Sequence, residues 1–408
     1  MYRQALLLFC CSCLWSADTS QLRDLAKRHR FFDLRRALEQ PGWNANETVF
    51  YRGMIASRFG NEAEGIDLLR NFVATTSDSY LLLAAWEEIA AASRRLGHYG
   101  KAAQAQDEVL KLTPANDPDR AGIENDRLLV DSLRDVAPVT ADPGAETPGR
   151  AVRNPLGSWN VPVAVNGVAG DWIFDTGANM TTVTESEAKR MGLTVGESKA
   201  WVSGSTGKHN ALRLTVAKDL VFAGAHVHNV VCLVLSDESL HIGPLHYQIT
   251  GILGLPVLRA LGRVGVTREG GIRIGGQEAP GEPNLFYDDL SMIAEIGHNG
   301  HRLQMFVDTG ANESVLLPGF RDALASNELA RIHRKTEKTA GAGEVTKRRV
   351  EVLPLLQLEF PGQTVELKKV SLLGETPEGV KYREGTIGMD ALWDGFLFDF
   401  RTMRLDVQ

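Results

Sequence analysis

Apolar positions change their period along this 408-residue chain. Up to about Val136 they recur at helical spacing, and Leu22, Leu25, Phe32 and Leu34 share one face. Trp86, Ile89, Ala90, Gly97, Tyr99, Ala102 and Pro114 are spaced as in two closely packed helices, with Gly97 in the turn and Pro114 ending the second. A weaker partner runs from Phe50 through Gly60 to Phe72, and a further helix is expected from Asp119. Pro138, Pro143, Pro148 and Pro155, with Gly144 and Gly149, then read as an extended linker over 135–155. Beyond it, short apolar runs separated by turn residues predict strands, the first pair at 161–165 and 170–174. A short helix is expected at 184–191, a polar helical insertion at 321–335, and strand-rich tails at 263–275 and 396–407.

The β-rich part is written twice. Asp175-Thr176-Gly177-Ala178-Asn179 follows the apolar run Trp172-Ile173-Phe174, and Asp308-Thr309-Gly310-Ala311-Asn312 follows Met305-Phe306-Val307, 133 positions later. Asn166-Gly167 and Asn299-Gly300 repeat at the same offset, and each signals a hairpin turn. Gly254 follows Ile252-Leu253 and Gly388 follows Thr386-Ile387, 134 positions apart. Each is expected to open a short helix, at Pro256-Val257-Leu258 and at Asp390-Ala391-Leu392. An acid delivered to the end of a buried strand is disfavoured unless something compensates it. Two such strands from two half-domains can bring their acids face to face, where one proton is shared between them.

This pairing resembles the aspartic peptidases, in particular the retropepsin-like branch with Asp-Thr-Gly-Ala, over about residues 155–408. The resemblance implies a bilobal fold in which Asp175 and Asp308 form a catalytic dyad. Thr176 and Thr309 would hydrogen-bond across the lobe interface. Gly177 and Gly310 would permit the tight turns, and Gly254 and Gly388 would give room behind them. Ala178 and Ala311 stand where pepsin-like relatives carry a hydroxyl donor, so activity is expected at mildly acidic to neutral pH. Trp201, Val202, Ser203, Gly204 and Ser205 lie where the family places a flap, and Ala340, Gly341, Ala342 and Gly343 occupy the corresponding stretch of the second half. The spacing around Trp86 to Pro114 resembles a tetratricopeptide repeat. The expected architecture is multidomain, α followed by all-β: a signal peptide at 1–17, a helical tetratricopeptide-like domain at 18–136, a linker at 137–155, and protease lobes at 156–280 and 281–408.

Composition narrows the function further. A net charge of −7 gives no reason to expect nucleic acid as a partner. Arg3 and the short apolar run from Ala5 to Trp15 read as an export signal, so a periplasmic, cell-envelope or secreted location is expected. Cys10, Cys11 and Cys13 leave lipid anchoring open; otherwise they depart with the signal. Cys232, in an apolar run, then remains as a core residue. His226, His228, His241 and His246 lack a recognised zinc spacing, and neither a metal nor a cofactor is expected. The expected partner is a peptide or protein substrate, with the helical region as a docking surface or a spacer. The competing reading is a catalytically inactive peptide-binding protein that keeps the protease fold.

Overall fold

The computed structural model describes residues 19–142, 149–203, 209–278, 280–341, 344–377 and 379–408. Its first part is helical: α1 (Ser20–Lys27), α2 (Phe31–Leu38), α3 (Ala45–Arg58), α4 (Glu62–Val73), α5 (Ser79–Arg95), α6 (Tyr99–Leu112) and α7 (Arg120–Ser132). Local chemistry sets the starts. Asp78 Oδ1 accepts from the backbone N–H of Tyr80 and Leu81 at 3.0 and 3.1 Å, capping α5, and Asn44 caps α3. Small residues set the spacing: a Cβ on Gly65 would lie 2.6 Å from the Ser57 backbone nitrogen, so α3 and α4 touch there.

The helices do not form a free-standing unit. Phe31 and Phe32 meet Phe286 edge-on at 5.3 and 5.2 Å between ring centres. Phe286 and Ile293, both from the second β lobe, are buried in the helical core. Arg58 bridges Glu88 and Asp288, and His29 also reaches Asp288 at 2.9 Å. The buried side chain of Arg95 contacts Glu62 and Glu88, and Arg259 of the first lobe joins Glu62 at 2.7 Å. Buried charges persist when each is paired, and here the pairing runs through three parts of the chain.

Each β lobe closes into a six-stranded barrel. In lobe one the strands are β1 (Trp159–Val165), β2 (Val168–Phe174), β3 (Thr181–Thr184), β4 (His209–Phe222), β5 (Ala225–Leu235) and β6 (Gly251–Leu253). In lobe two they are β7 (Ser291–His298), β8 (His301–Val307), β9 (Val315–Leu316), β10 (Glu344–Phe360), β11 (Gln363–Leu372) and β12 (Gly385–Ile387). Around lobe one the order is β1-β2-β6-β3-β5-β4 and back to β1; around lobe two it is β7-β8-β12-β9-β11-β10 and back to β7. The two orders are the same, strand for strand. The hairpins turn at Asn166-Gly167 and Asn299-Gly300, all four with positive φ. The lobe tails join in a four-stranded sheet: Arg263–Thr267 pairs antiparallel with Gly395–Asp399, flanked by Ile272–Ile274 and Arg404–Val407. The barrels and this sheet share one apolar cluster that includes Cys232.

Several local expectations are corrected. The stretch expected as an extended linker also joins the sheet at both ends: Thr140–Asp142 pairs with the His226–His228 end of β5, and Val152–Arg153 pairs with β1. Edge pairing needs only a few backbone groups, so prolines at other positions do not prevent it. Residues 390–392 form turns rather than a helix, because the Asp390 carboxylate is engaged by Ser314 and by the Ala391 N–H. In lobe one Pro256 opens a true helix, Leu255–Ala260. The stretch expected as a helical insertion holds two short helical turns, Pro318–Ala323 and Ser326–Leu329, before the chain enters the strand His333–Gly341.

Candidate active site

Asp175 and Asp308 sit one residue beyond β2 and β8. Each strand is held in parallel register by the strand that ends at the second glycine: Phe174 pairs with Leu253, and Val307 with Ile387. The aspartate N–H groups complete this ladder, Asp175 to Leu253 O at 3.1 Å and Asp308 to Ile387 O at 3.0 Å. The turns that follow are pinned to the same crossing chains, since Leu255 N–H donates to Ala178 O and Met389 N–H donates to Ala311 O. The crossing is tight. A Cβ on Gly254 would lie 2.7 Å from the Met180 carbonyl carbon, and one on Gly388 would lie 2.5 Å from that of Glu313.

Within each turn the carboxylate is held by backbone donors. Asp175 Oδ1 accepts from Gly177 N–H (2.7 Å) and Ala178 N–H (3.2 Å). Asp308 Oδ1 accepts from Gly310 N–H (2.9 Å) and Ala311 N–H (3.1 Å). The turns face one another closely. A Cβ on Gly177 would come within 2.6 Å of Asp308 Oδ1, and one on Gly310 within 2.5 Å of Asp175 Oδ2. Glycine is required here because each backbone lies against the opposite carboxylate.

Thr176 and Thr309 lock the approach. Thr176 N–H donates to Thr309 Oγ1 at 2.9 Å, and Thr309 N–H donates to Thr176 Oγ1 at 3.1 Å. Each hydroxyl then donates across the interface, Thr176 to Val307 O and Thr309 to Phe174 O, both at 2.9 Å. Both N–H groups and both hydroxyls of the buried threonines are used, as burial demands.

Burial pushes both carboxyls above the usual aspartate range, and for Asp175 the nearby Asp308 charge adds to the rise. The turn N–H groups act against that shift in each, and the Arg383 charge does so at Asp308. The arrangement favours one proton held by the pair as a whole. Chemically it offers a base and an acid side by side.

Each barrel carries one further hairpin strand. Gly196–Ser203 pairs with β4, carrying Trp201, Val202 and Ser203, and His333–Gly341 pairs with β10, carrying Ala340 and Gly341. Gly204, Ser205, Ala342 and Gly343 lie outside the described residues. His226 and His228 are engaged by Asp219 and Asp142. Three contributors were missed in the sequence: Asn125 on α7, which contacts the Trp201 backbone; Arg383, whose charge acts on Asp308; and Ser314, which braces Gly388 at 3.0 Å. Only Ser314 had a sequence cue, as the counterpart of Thr181, which braces Gly254.

A family model described as aspartyl protease matches residues 161–257, which is lobe one from β1 to the helix after Gly254. No curated protein matches the chain. The matched span and the two closed barrels fit a bilobal aspartic protease fold preceded by helices.

Proposed function

We propose that this chain is an aspartic endopeptidase that hydrolyses peptide bonds with Asp175, Asp308 and an activated water. The observation that carries the reading is the mutual approach of the two carboxylates, each cradled by its own turn and braced by Thr176 and Thr309. In the reaction the ionised aspartate takes a proton from water as the water oxygen bonds to the scissile carbonyl carbon. The protonated partner donates to the carbonyl oxygen, stabilising the tetrahedral intermediate. A proton then passes to the amide nitrogen, the C–N bond breaks, and the pair returns to one shared proton.

The hairpins that Gly196–Ser203 forms with β4 and His333–Gly341 forms with β10 are read as flaps that close over an extended peptide. The optimum is placed between mildly acidic and neutral pH, because Ala178 and Ala311 bring no side-chain donor to either carboxylate. The reading includes export of the mature chain.

The test is cleavage of a mixed peptide library by the full chain between about pH 3 and pH 8, a range that begins below reference carboxylate values. An Asp175→Asn/Asp308→Asn variant runs in parallel. Cleavage lost in the variant and unaffected by chelators supports the reading. Equal cleavage by the variant, or none by the parent, overturns it.

A further inference from the structure

The two lobes differ beside the aspartates. Ile173 and Phe306 occupy matching positions, two residues before Asp175 and Asp308. Ile249 and Arg383 match likewise, each five residues before Gly254 and Gly388. In lobe one Ile173 and Ile249 are buried together with Leu240 and Ile242, an entirely apolar set. In lobe two the Arg383 guanidinium carbon stands 4.5 Å from the centre of the Phe306 ring.

The chain around Arg383 is fixed on both sides. Gln304 Nε2 donates to Tyr382 O at 3.1 Å, and Glu384 N–H donates to Gln304 O at 2.8 Å. The nearby acids are already engaged. Glu384 receives the Gln304 N–H and Arg30, and Asp288 receives His29 and Arg58. Arg383 itself has no carboxylate partner among the described residues, and its Nε is buried without a hydrogen bond. The other arginines withdrawn among the helices, Arg58 and Arg95, are each paired with acids. A partly desolvated guanidinium without an acidic partner is suited to a carboxylate, which it can bind with two parallel hydrogen bonds. Asp308 does not take that role: the hydrogen bonds at its carboxylate come from its own turn. Burial lowers the basicity of Arg383, and the charges of Asp308 and Asp288 counter that effect.

We propose that Arg383 binds a carboxylate of the peptide substrate on the lobe-two side of the scissile bond, where the matching positions of lobe one are apolar. The proposal rests on the peptidase reading. It names the substrate class as acidic peptides, with the carboxylate supplied either by an Asp or Glu side chain or by the peptide C-terminus.

The experiment compares end-blocked peptides carrying Glu or Gln at each position near the cleavage site, together with matched peptides bearing a free or an amidated C-terminus. Parent, Arg383→Met and Arg383→Lys chains are assayed for kcat/KM. Binding of the same peptides to the Asp175→Asn/Asp308→Asn chain, with and without Arg383→Met, is measured alongside. The parent should prefer the charged member of one pair by about 10- to 100-fold, as expected for a charge-assisted hydrogen bond. Arg383→Met should bring that ratio close to one, and Arg383→Lys should leave a reduced preference. The preference should fade as pH drops below about 4.3, where glutamate takes up its proton. A parent that handles charged and neutral members equally in both assays overturns the proposal. So does a preference that survives Arg383→Met. Selective binding without cleavage would retain the Arg383 assignment and defeat the peptidase reading instead.

Discussion

The side-chain amide of Asn125 grips the backbone of Trp201 from both sides. Asn125 Nδ2 donates to Trp201 O at 2.9 Å, and Trp201 N–H donates to Asn125 Oδ1 at 2.8 Å. The amide stands in for a neighbouring strand at the point where pairing with β4 slips register, between Glu197 and Trp201. Ser132 meets Ser198 at 2.8 Å one helical stretch further on. Helix α7 thus holds the outer strand of the lobe-one hairpin. Asn125→Leu should remove both bonds, each worth about 1 kcal/mol. Amide exchange at 196–203 should then speed up by about tenfold or more, and KM should rise more than kcat falls. Asn125→Gln should recover part of the protection. Unchanged exchange at Trp201 in Asn125→Leu would contradict this role.

The threonine brace predicts a distinction between two small substitutions. Thr309→Val keeps the volume and loses the hydroxyl, leaving Thr176 N–H and Phe174 O without their partner. Two unmade buried bonds should cost about 2–4 kcal/mol in urea unfolding and reduce activity with the loss of alignment. Thr309→Ser retains Oγ and should lie close to the parent. Equal losses in the two variants would show that the methyl group, not the hydroxyl, matters.

Stability should depend on pH through the aspartate pair. Both carboxyls titrate higher in the folded chain than in an unfolded one, so folding favours their protonated forms. That contribution is fully present below about pH 3.9 and is lost as pH rises through the raised folded values. Asp175→Asn/Asp308→Asn removes the dependence. The variant should therefore gain on the parent as pH climbs from about 4 to about 7, by about 1.4 kcal/mol for each unit of raised pKa. Denaturant unfolding at the two ends of that range measures the gap, and a constant difference would refute the shifted values.

Ala178→Ser and Ala311→Ser should move the acidic limb of the pH–rate profile down, because a hydroxyl beside Oδ1 favours the charged carboxylate. The profile of the double variant is the informative one, since the limbs belong to the pair. No movement of the limb would mean that the added hydroxyls do not reach the carboxylates.

Removing one member of the buried ion cluster should be severe. Arg95→Met leaves Glu62 and Glu88 facing each other with less compensation, and loss of a buried partner typically costs about 3–5 kcal/mol. Arg259 still reaches Glu62, so Arg95→Met/Arg259→Met should exceed the sum of the single changes. Additive losses in a thermal double-mutant cycle would show that the cluster is not acting as a unit.

The strongest features of the fold were legible because they are local and occur in pairs. Asn166-Gly167 and Asn299-Gly300 dictate their own turns, and each aspartate turn is spelled out by glycines that nothing larger could replace. Contacts between distant segments were not legible. The tails at 263–275 and 396–407 read as strands, yet alternation names no partner, so their mutual pairing could not be read. Asn125 looks like any polar residue on a helix, and Arg383 like any surface cation; only the tertiary structure gives them neighbours. The turns at 390–392 escaped for a related reason, since Ser314 engages Asp390 from 76 positions away.

The four-stranded sheet built from both tails also bears on what proteolysis would do. The chain between Ile274 and Leu285 is mostly exposed, and it is the covalent passage from one lobe to the other. A cut there would leave five paired positions between Arg263–Thr267 and Gly395–Asp399 intact, together with the packing of Phe174 on Phe396 at 5.6 Å. A nicked molecule should therefore elute as a single species and separate into two fragments only in denaturant.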